Sequence, residues 1–139
     1  MKIITKNLEI STKFELQIIN ITNEIEKIIQ LININSGLAV IFCKGSTGSI
    51  TTIEYESGLI EDFPNMLKRI IPNKINYKHE LMWHDGNGHS HVRASLLGPS
   101  LSIPFTNKKL ILGTWQQIIF IELDVKPRNR ELIIQILGE

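Results

Sequence analysis

The sequence predicts an α+β fold: one domain over residues 1–139, with a mixed or antiparallel β-sheet and two to three helices. Three observations lead there. Short runs rich in Ile, Val, Leu and Phe recur along the chain, as strands require. Other segments carry apolar residues at helical spacing. The two kinds do not alternate regularly, as parallel βαβ units would. At 139 residues the chain has the size of one ordinary domain, long enough to bury a core without disulfides or a structural metal.

KIITKNLEI (2–10) and KFELQIIN (13–20) read as two strands, with the polar STK between them as a hairpin turn. NEIEKIIQLININ (23–35) places Ile25, Ile28, Ile29 and Ile32 on one helical face. Asn23 and Glu26 resemble a capping box, and Gly37 is the expected stop. LAVIFCK (38–44) is apolar throughout and reads as a buried strand, with Cys43 a small buried hydrophobe. GSTGS (45–49) breaks it, and ITTIEYE (50–56) follows as a β-branched strand. GLIEDFPNMLKRIIP (58–72) is helical, with Pro64 either kinking it or opening a second helix. His79 falls in the short β-like stretch YKHE. NGHSHVRASLLG (87–98) predicts a helix ending at Gly98, since Pro99 blocks its continuation. LSIPF (101–105) is a strand and TNKK a turn. LILGTWQQIIFIEL (110–123) is one long strand or a pair, and RELIIQIL (130–137) closes the chain.

Composition excludes several classes. Hydrophobic residues at 42% and charged residues at 21% describe a globular chain. A formal net charge of +1 gives no basic excess of the kind a nucleic-acid surface shows. No apolar run is long enough to span a bilayer, and MKIITKNLEI lacks an export signal core. A lone cysteine and the missing signal lead to the expectation of a reducing cytoplasm.

All four histidines lie in HELMWHDGNGHSH, His79 to His91. Imidazole is the commonest metal ligand and the side chain that changes charge nearest neutral pH, so the cluster is a candidate metal or acid–base site. The alternative is a polar loop, and no HExxH spacing is present. On a strand, His89 and His91 would share a face and chelate one ion. On a helix they stand about 200° apart, and Asn87, His91 and Ser95 form one face instead. The helical reading makes His91 the stronger candidate, with His79 approaching from another element. Ser46, Thr47 and Gly48 can offer hydroxyls and backbone N–H groups to an anion, though without P-loop spacing. Glu122 is a carboxylate in an apolar strand, a candidate ligand or base, or else a partner of Arg128 or Arg130. Arg93 can clamp an anion.

The block from His79 through GNGHSHVRASLLGPSLSIPF, followed by LGTWQQIIFIELD, resembles the YjbQ-like family. This is a set of small proteins often labelled secondary thiamine-phosphate synthases. The similarity runs from about the first strand to the last, and its most specific parts are His91 to Ser100 and the GTWQ of Gly113 to Gln116. The resemblance implies a homotrimeric α+β domain with a histidine-lined pocket near the subunit interfaces. It implies His79, His91 and Glu122 as catalytic groups. The anion-binding set is then Ser46, Thr47, Gly48, Asn87, Arg93, Ser95 and Gln116, acting on a small phosphorylated ligand. A divalent metal, zinc first, is expected on His79, His89 and His91. The chain departs from the family at Gly45-Ser46-Thr47-Gly48, where many members carry His-Thr-Thr (or Ser)-Ala. Gly45 thus replaces a histidine, for which His89 is the expected substitute. The implied activity is thiamine-phosphate synthesis. The alternative is a non-catalytic trimer that binds a metal or an anion.

Overall fold

Thr12 leaves the first strand to bond both Glu122 and the Arg128 carbonyl, and that departure divides the molecule into two sheets. The computed structural model describes residues 1–139. Strands β1 (Lys2–Ser11), β3 (Gly37–Cys43), β5 (Ser100–Thr106), β6 (Lys109–Leu110) and β8 (Asn129–Gly138) form a five-stranded sheet in the order β1-β8-β3-β5-β6. Strands β2 (Ile18–Asn20), β4 (Gly48–Ile53) and β7 (Gln117–Glu122) form a second sheet in the order β2-β7-β4. Every ladder is antiparallel.

The larger core lies between the sheets. It joins Ile25 and Ile29 of helix α1 (Thr22–Leu31) with Ala39, Ile41, Ile103, Ile134, Ile118 and Phe120. The side chains of β7 alternate as a strand requires. Ile118 and Phe120 enter this core, while Ile119 and Ile121 face a second one with Leu67 of helix α2 (Ser57–Ile70) and Ala94 of helix α4 (Gly88–Leu97). β7 is therefore buried on both sides, and its far end carries Glu122 and Asp124 into the interior.

Several expectations are corrected. Strand β2 is only three residues long and does not form a hairpin with β1, because β1 pairs with β8 and β2 with β7. Leu16, in the left-handed region at φ 65°, turns the chain across to the second sheet. Helix α1 starts before the supposed capping box, so Asn23 is already inside it. Asn20 serves the end instead, accepting from the Thr22 N–H at 3.0 Å. The helix stops at Leu31. Gly37 opens β3, where a Cβ would collide with the Leu137 carbonyl of β8. YKHE is not extended: His79 precedes a one-turn helix α3 (Glu80–Trp83), which brings the helix count to four. Pro64 sits inside one continuous α2. LILGTWQQIIFIEL is two strands in different sheets, separated by the turn at Gly113–Gln116. Helix α4 ends at Gly98 (φ 89°), as the sequence predicts. No helix is long and apolar enough to cross a membrane.

Candidate functional site

The end of β7, the β3–β4 loop, α3 and the start of α4 converge on a pocket of about 340 Å³. Its walls include Ser46, Thr47, His79, Asp85, His91, Asp124 and Arg128, with Trp83 contributing the one apolar side chain. An adjoining cleft of about 200 Å³ shares His91 and Ser46 and is lined further by Gly45, Gly48 and Ser95.

His79 and His91 meet in the pocket with ring centroids 4.3 Å apart. Burial and the neighbouring His79 both lower the His91 pKa below the ordinary histidine value, against the opposing pull of Asp85, Asp124 and Glu80. His91 is therefore a neutral imidazole at neutral pH, able to accept a proton. His79 Nε2 lies 3.5 Å from Asp85 Oδ1. Asn87 stands between the two carboxylates of the pocket. In one amide orientation its Nδ2 donates to Asp124 Oδ1 at 3.4 Å. Turned over, the same nitrogen reaches Asp85 Oδ1 at 2.8 Å and His79 Nε2 at 3.2 Å, which are the shorter contacts.

Asp124 is almost fully buried, at 1% exposure, and still ionised. Burial works against its charge. Hydrogen bonds from Arg128, Asn87, Thr47 and the Val125 N–H outweigh burial and hold the carboxyl below its usual pKa. Arg128 Nε donates to Asp124 Oδ2 at 2.9 Å, and its half-exposed guanidinium also lines the pocket.

The Gly45–Gly48 loop is braced from behind. Arg130 donates to the Thr47 carbonyl at 3.1 Å, and the Leu123 N–H donates to the same oxygen at 3.0 Å. With its carbonyl side tied inward, the loop leaves the N–H groups of Gly45, Ser46 and Thr47 without an acceptor in the chain. Successive unpaired N–H groups beside an arginine form a concavity suited to an anion.

Glu122 does not reach the pocket. It is completely buried and paired with Arg130, and it also accepts from Thr12 Oγ1 at 2.8 Å and the Asp124 N–H at 2.9 Å. The pairing alternative read from the sequence is the one the structure adopts. The catalytic assignment of Glu122 is corrected to a brace beneath the loop. His89 is also corrected as a metal ligand. The helix turns it away from His91, into a buried contact with Glu15 at 2.6 Å. Arg93 is 1% exposed and spends its donors on Glu15 and the Ile71 carbonyl, so it has no reach to an anion. Gln116 bonds Thr52 at 3.1 Å and the Gly113 N–H at 3.0 Å, outside the pocket lining. Ser95 lines the adjoining cleft, its hydroxyl donating to the His91 carbonyl at 2.9 Å. His79, His91, Asn87, Ser46 and Thr47 come together as read, and Gly48 joins Ser46 in the cleft.

The donor set tests the expected metal. His79 and His91 offer two imidazoles, but no three His, Cys, Asp or Glu side chains converge on one point. A three-histidine zinc site does not fit this arrangement. Asp85 and Asp124 were not singled out from the sequence, and Arg128 was read only as a possible partner of Glu122, whereas it pairs with Asp124 in the pocket. The i,i+4 spacing of Asp124 and Arg128 was the visible signal for this pair.

An α+β sandwich in which the buried Asp124 carboxylate and two paired histidines open on a glycine–hydroxyl loop is the class of protein this arrangement defines. The family model described as "UPF0047 protein YjbQ-like" matches residues 6–139, and the chain belongs to that family. It is 36% identical over 139 residues to a UPF0047 protein of Methanothermobacter thermautotrophicus, covering 100% of this chain and 95% of the relative. It is 37% identical over 134 residues to the UPF0047 protein YugU of Bacillus subtilis, covering 96% of this chain and 98% of that one. Its fold matches the crystal structure of a YbjQ-like protein of unknown function from Sulfolobus solfataricus. The TM-score is 0.94 at 34% identity, covering 99% of both chains.

Proposed function

We propose that the pocket binds a small phosphorylated molecule and that the His79–His91 pair moves a proton to or from it. The observation that carries this reading is a His91 of lowered pKa lining the same pocket and adjoining cleft as the Gly45–Thr47 loop, whose N–H groups have no acceptor in the chain. Arg128, rather than Arg93, supplies the cation beside them. The chemistry implied by the sequence resemblance is transfer of the thiamine-phosphate-synthase type. A pyrimidine diphosphate is joined to a thiazole phosphate, and pyrophosphate leaves. In such a step Arg128 and the loop amides meet the charge growing on the departing pyrophosphate. The C–N bond to the thiazole nitrogen forms as the C–O bond to pyrophosphate breaks; that nitrogen carries no hydrogen, so the proton that the histidine pair moves goes to the departing pyrophosphate.

Pocket position also supports a reading as a homotrimer whose contacts lie close to the site. Leu81, Met82, Val92 and Leu96, on the two helices that flank the pocket, are exposed in the single chain, as surfaces that meet a partner are. A reducing cytoplasm suits the unpaired, buried Cys43.

The 4.3 Å approach of His79 and His91 favours a second reading. In it the two imidazoles hold a divalent ion and the protein stores or senses it without turnover. Elemental mass spectrometry on untagged protein, with His79→Ala and His91→Ala beside it, separates the two. Metal-free protein that binds pyrophosphate supports the first reading. Near-stoichiometric metal lost in both variants, with no turnover of any phosphorylated substrate, overturns it.

A further inference from the structure

We propose that Asn87 is a site of self-modification by deamidation, and that Glu80 exists to hold it in check. The stretch Asp85-Gly86-Asn87-Gly88 contains two of the dipeptides most prone to cyclise, Asp-Gly and Asn-Gly, directly in the wall of the pocket. The backbone favours glycine at the first position and leaves no room for a side chain at the second. Gly86 sits at φ 71°, a left-handed conformation that favours glycine. A Cβ on Gly88 would lie 2.5 Å from Tyr77 Cβ and 2.9 Å from Glu80 Oε1. The polar members are fixed by the pocket, since Asn87 reaches Asp85 and His79 or Asp124. Packing and pocket chemistry together thus force a labile sequence on the chain.

Cyclisation at Asn87 needs the Gly88 nitrogen. It loses its proton and attacks Asn87 Cγ, a C–N bond forms as ammonia leaves, and water then opens the succinimide to aspartate or isoaspartate. At Asp85 the Gly86 nitrogen attacks in the same way, water leaves, and water reopens the ring. Both nucleophilic nitrogens are held by a single carboxylate. Glu80 Oε1 accepts from the Gly88 N–H at 2.7 Å, and Glu80 Oε2 accepts from the Gly86 N–H at 2.6 Å. These are charge-assisted bonds. The negative charge beside each nitrogen also opposes the anion that must develop for attack. Glu80 begins the one-turn α3, an element too short to be stable alone, and its double grip gives that turn a reason to exist. Failure of the grip would place a third carboxylate beside Asp85 and Asp124.

The test is peptide mapping after incubation of the intact protein at mildly alkaline pH. The tryptic segment 79–93 contains both sites. Glu80→Gln keeps the size of the side chain but removes its charge and one acceptor. Folded E80Q should deamidate at Asn87 about tenfold faster than wild type, the factor that one charge-assisted hydrogen bond corresponds to. The product carries a mass gain of about one unit, as replacement of NH2 by OH requires. Folded E80Q that ages no faster than wild type overturns the proposal. Should E80Q not fold, E80D takes its place, because it keeps the charge but is too short to reach both N–H groups. Wild-type protein that deamidates as fast as the isolated 79–93 peptide overturns the proposal independently of any variant.

Discussion

The imidazoles of His79 and His91 meet at a tilt of 46° with centroids 4.3 Å apart, although His79 stands just before α3 and His91 lies within α4. Two protonated rings at that distance repel, so one of them stays neutral. His91 is the one whose pKa is lowered, first by burial and then by His79.

His91 should therefore titrate below the ordinary value of 6.5 in a heteronuclear NMR titration. His79→Gln should move it back up, because a neutral amide removes the repelling charge. Between the folded and unfolded values the unfolded chain binds more protons, so His91 supports the fold fully above the unfolded value. That support is lost as pH falls through the folded value. A His91 that titrates above 6.5 contradicts this.

His89 and His91 should separate cleanly on substitution. His89→Ala removes one of the two partners of Glu15, leaving Arg93, and should cost about 1–3 kcal/mol by urea unfolding, without changing pyrophosphate affinity. His91→Ala should do the reverse. Equal losses of affinity in both variants would place His89 in the pocket after all.

Glu122→Gln leaves Arg130 buried without its counter-charge, and such breaks cost about 3–5 kcal/mol. The loop it braces should loosen as well. Faster amide hydrogen exchange at Gly45 to Gly48 measures that directly. A variant as stable as wild type, with an unchanged loop, would contradict the bracing role.

Gly45 sits at φ 132°, and a Cβ there lies 3.1 Å from Arg130 Nη1. Gly45→His, which restores the residue many relatives carry, should lose about 1–3 kcal/mol to strain of that kind. It should not produce a high-affinity zinc site, because the brace and the histidine compete for the same space. Thermal denaturation with and without zinc reads both effects.

The α+β class and the boundaries of α4 were legible because each rests on local pattern: short apolar runs broken by polar turns, and Gly98 before Pro99. The crossing of β2 to a second sheet was not legible. It depends on Thr12 finding Glu122 and Arg128, partners more than a hundred residues away. The pocket was half legible. The histidine cluster announced itself by composition. The roles within it depend on which face of α4 is buried, and Glu15 decides that from the other end of the chain. Glu122 was recognised as an unusual buried acid, yet its neighbour Asp124 is the one that faces the pocket. Two residues at a strand end separate a brace from a site.

Calorimetric titration of pyrophosphate into metal-free wild-type protein and Arg128→Ala is the most direct test of the central claim. A phosphate pocket built on Arg128 and the Gly45–Thr47 amides predicts binding to wild type and affinity about tenfold weaker in the variant, one charge-assisted hydrogen bond's worth. No heat of binding in wild type, or equal affinity in both proteins, would contradict it.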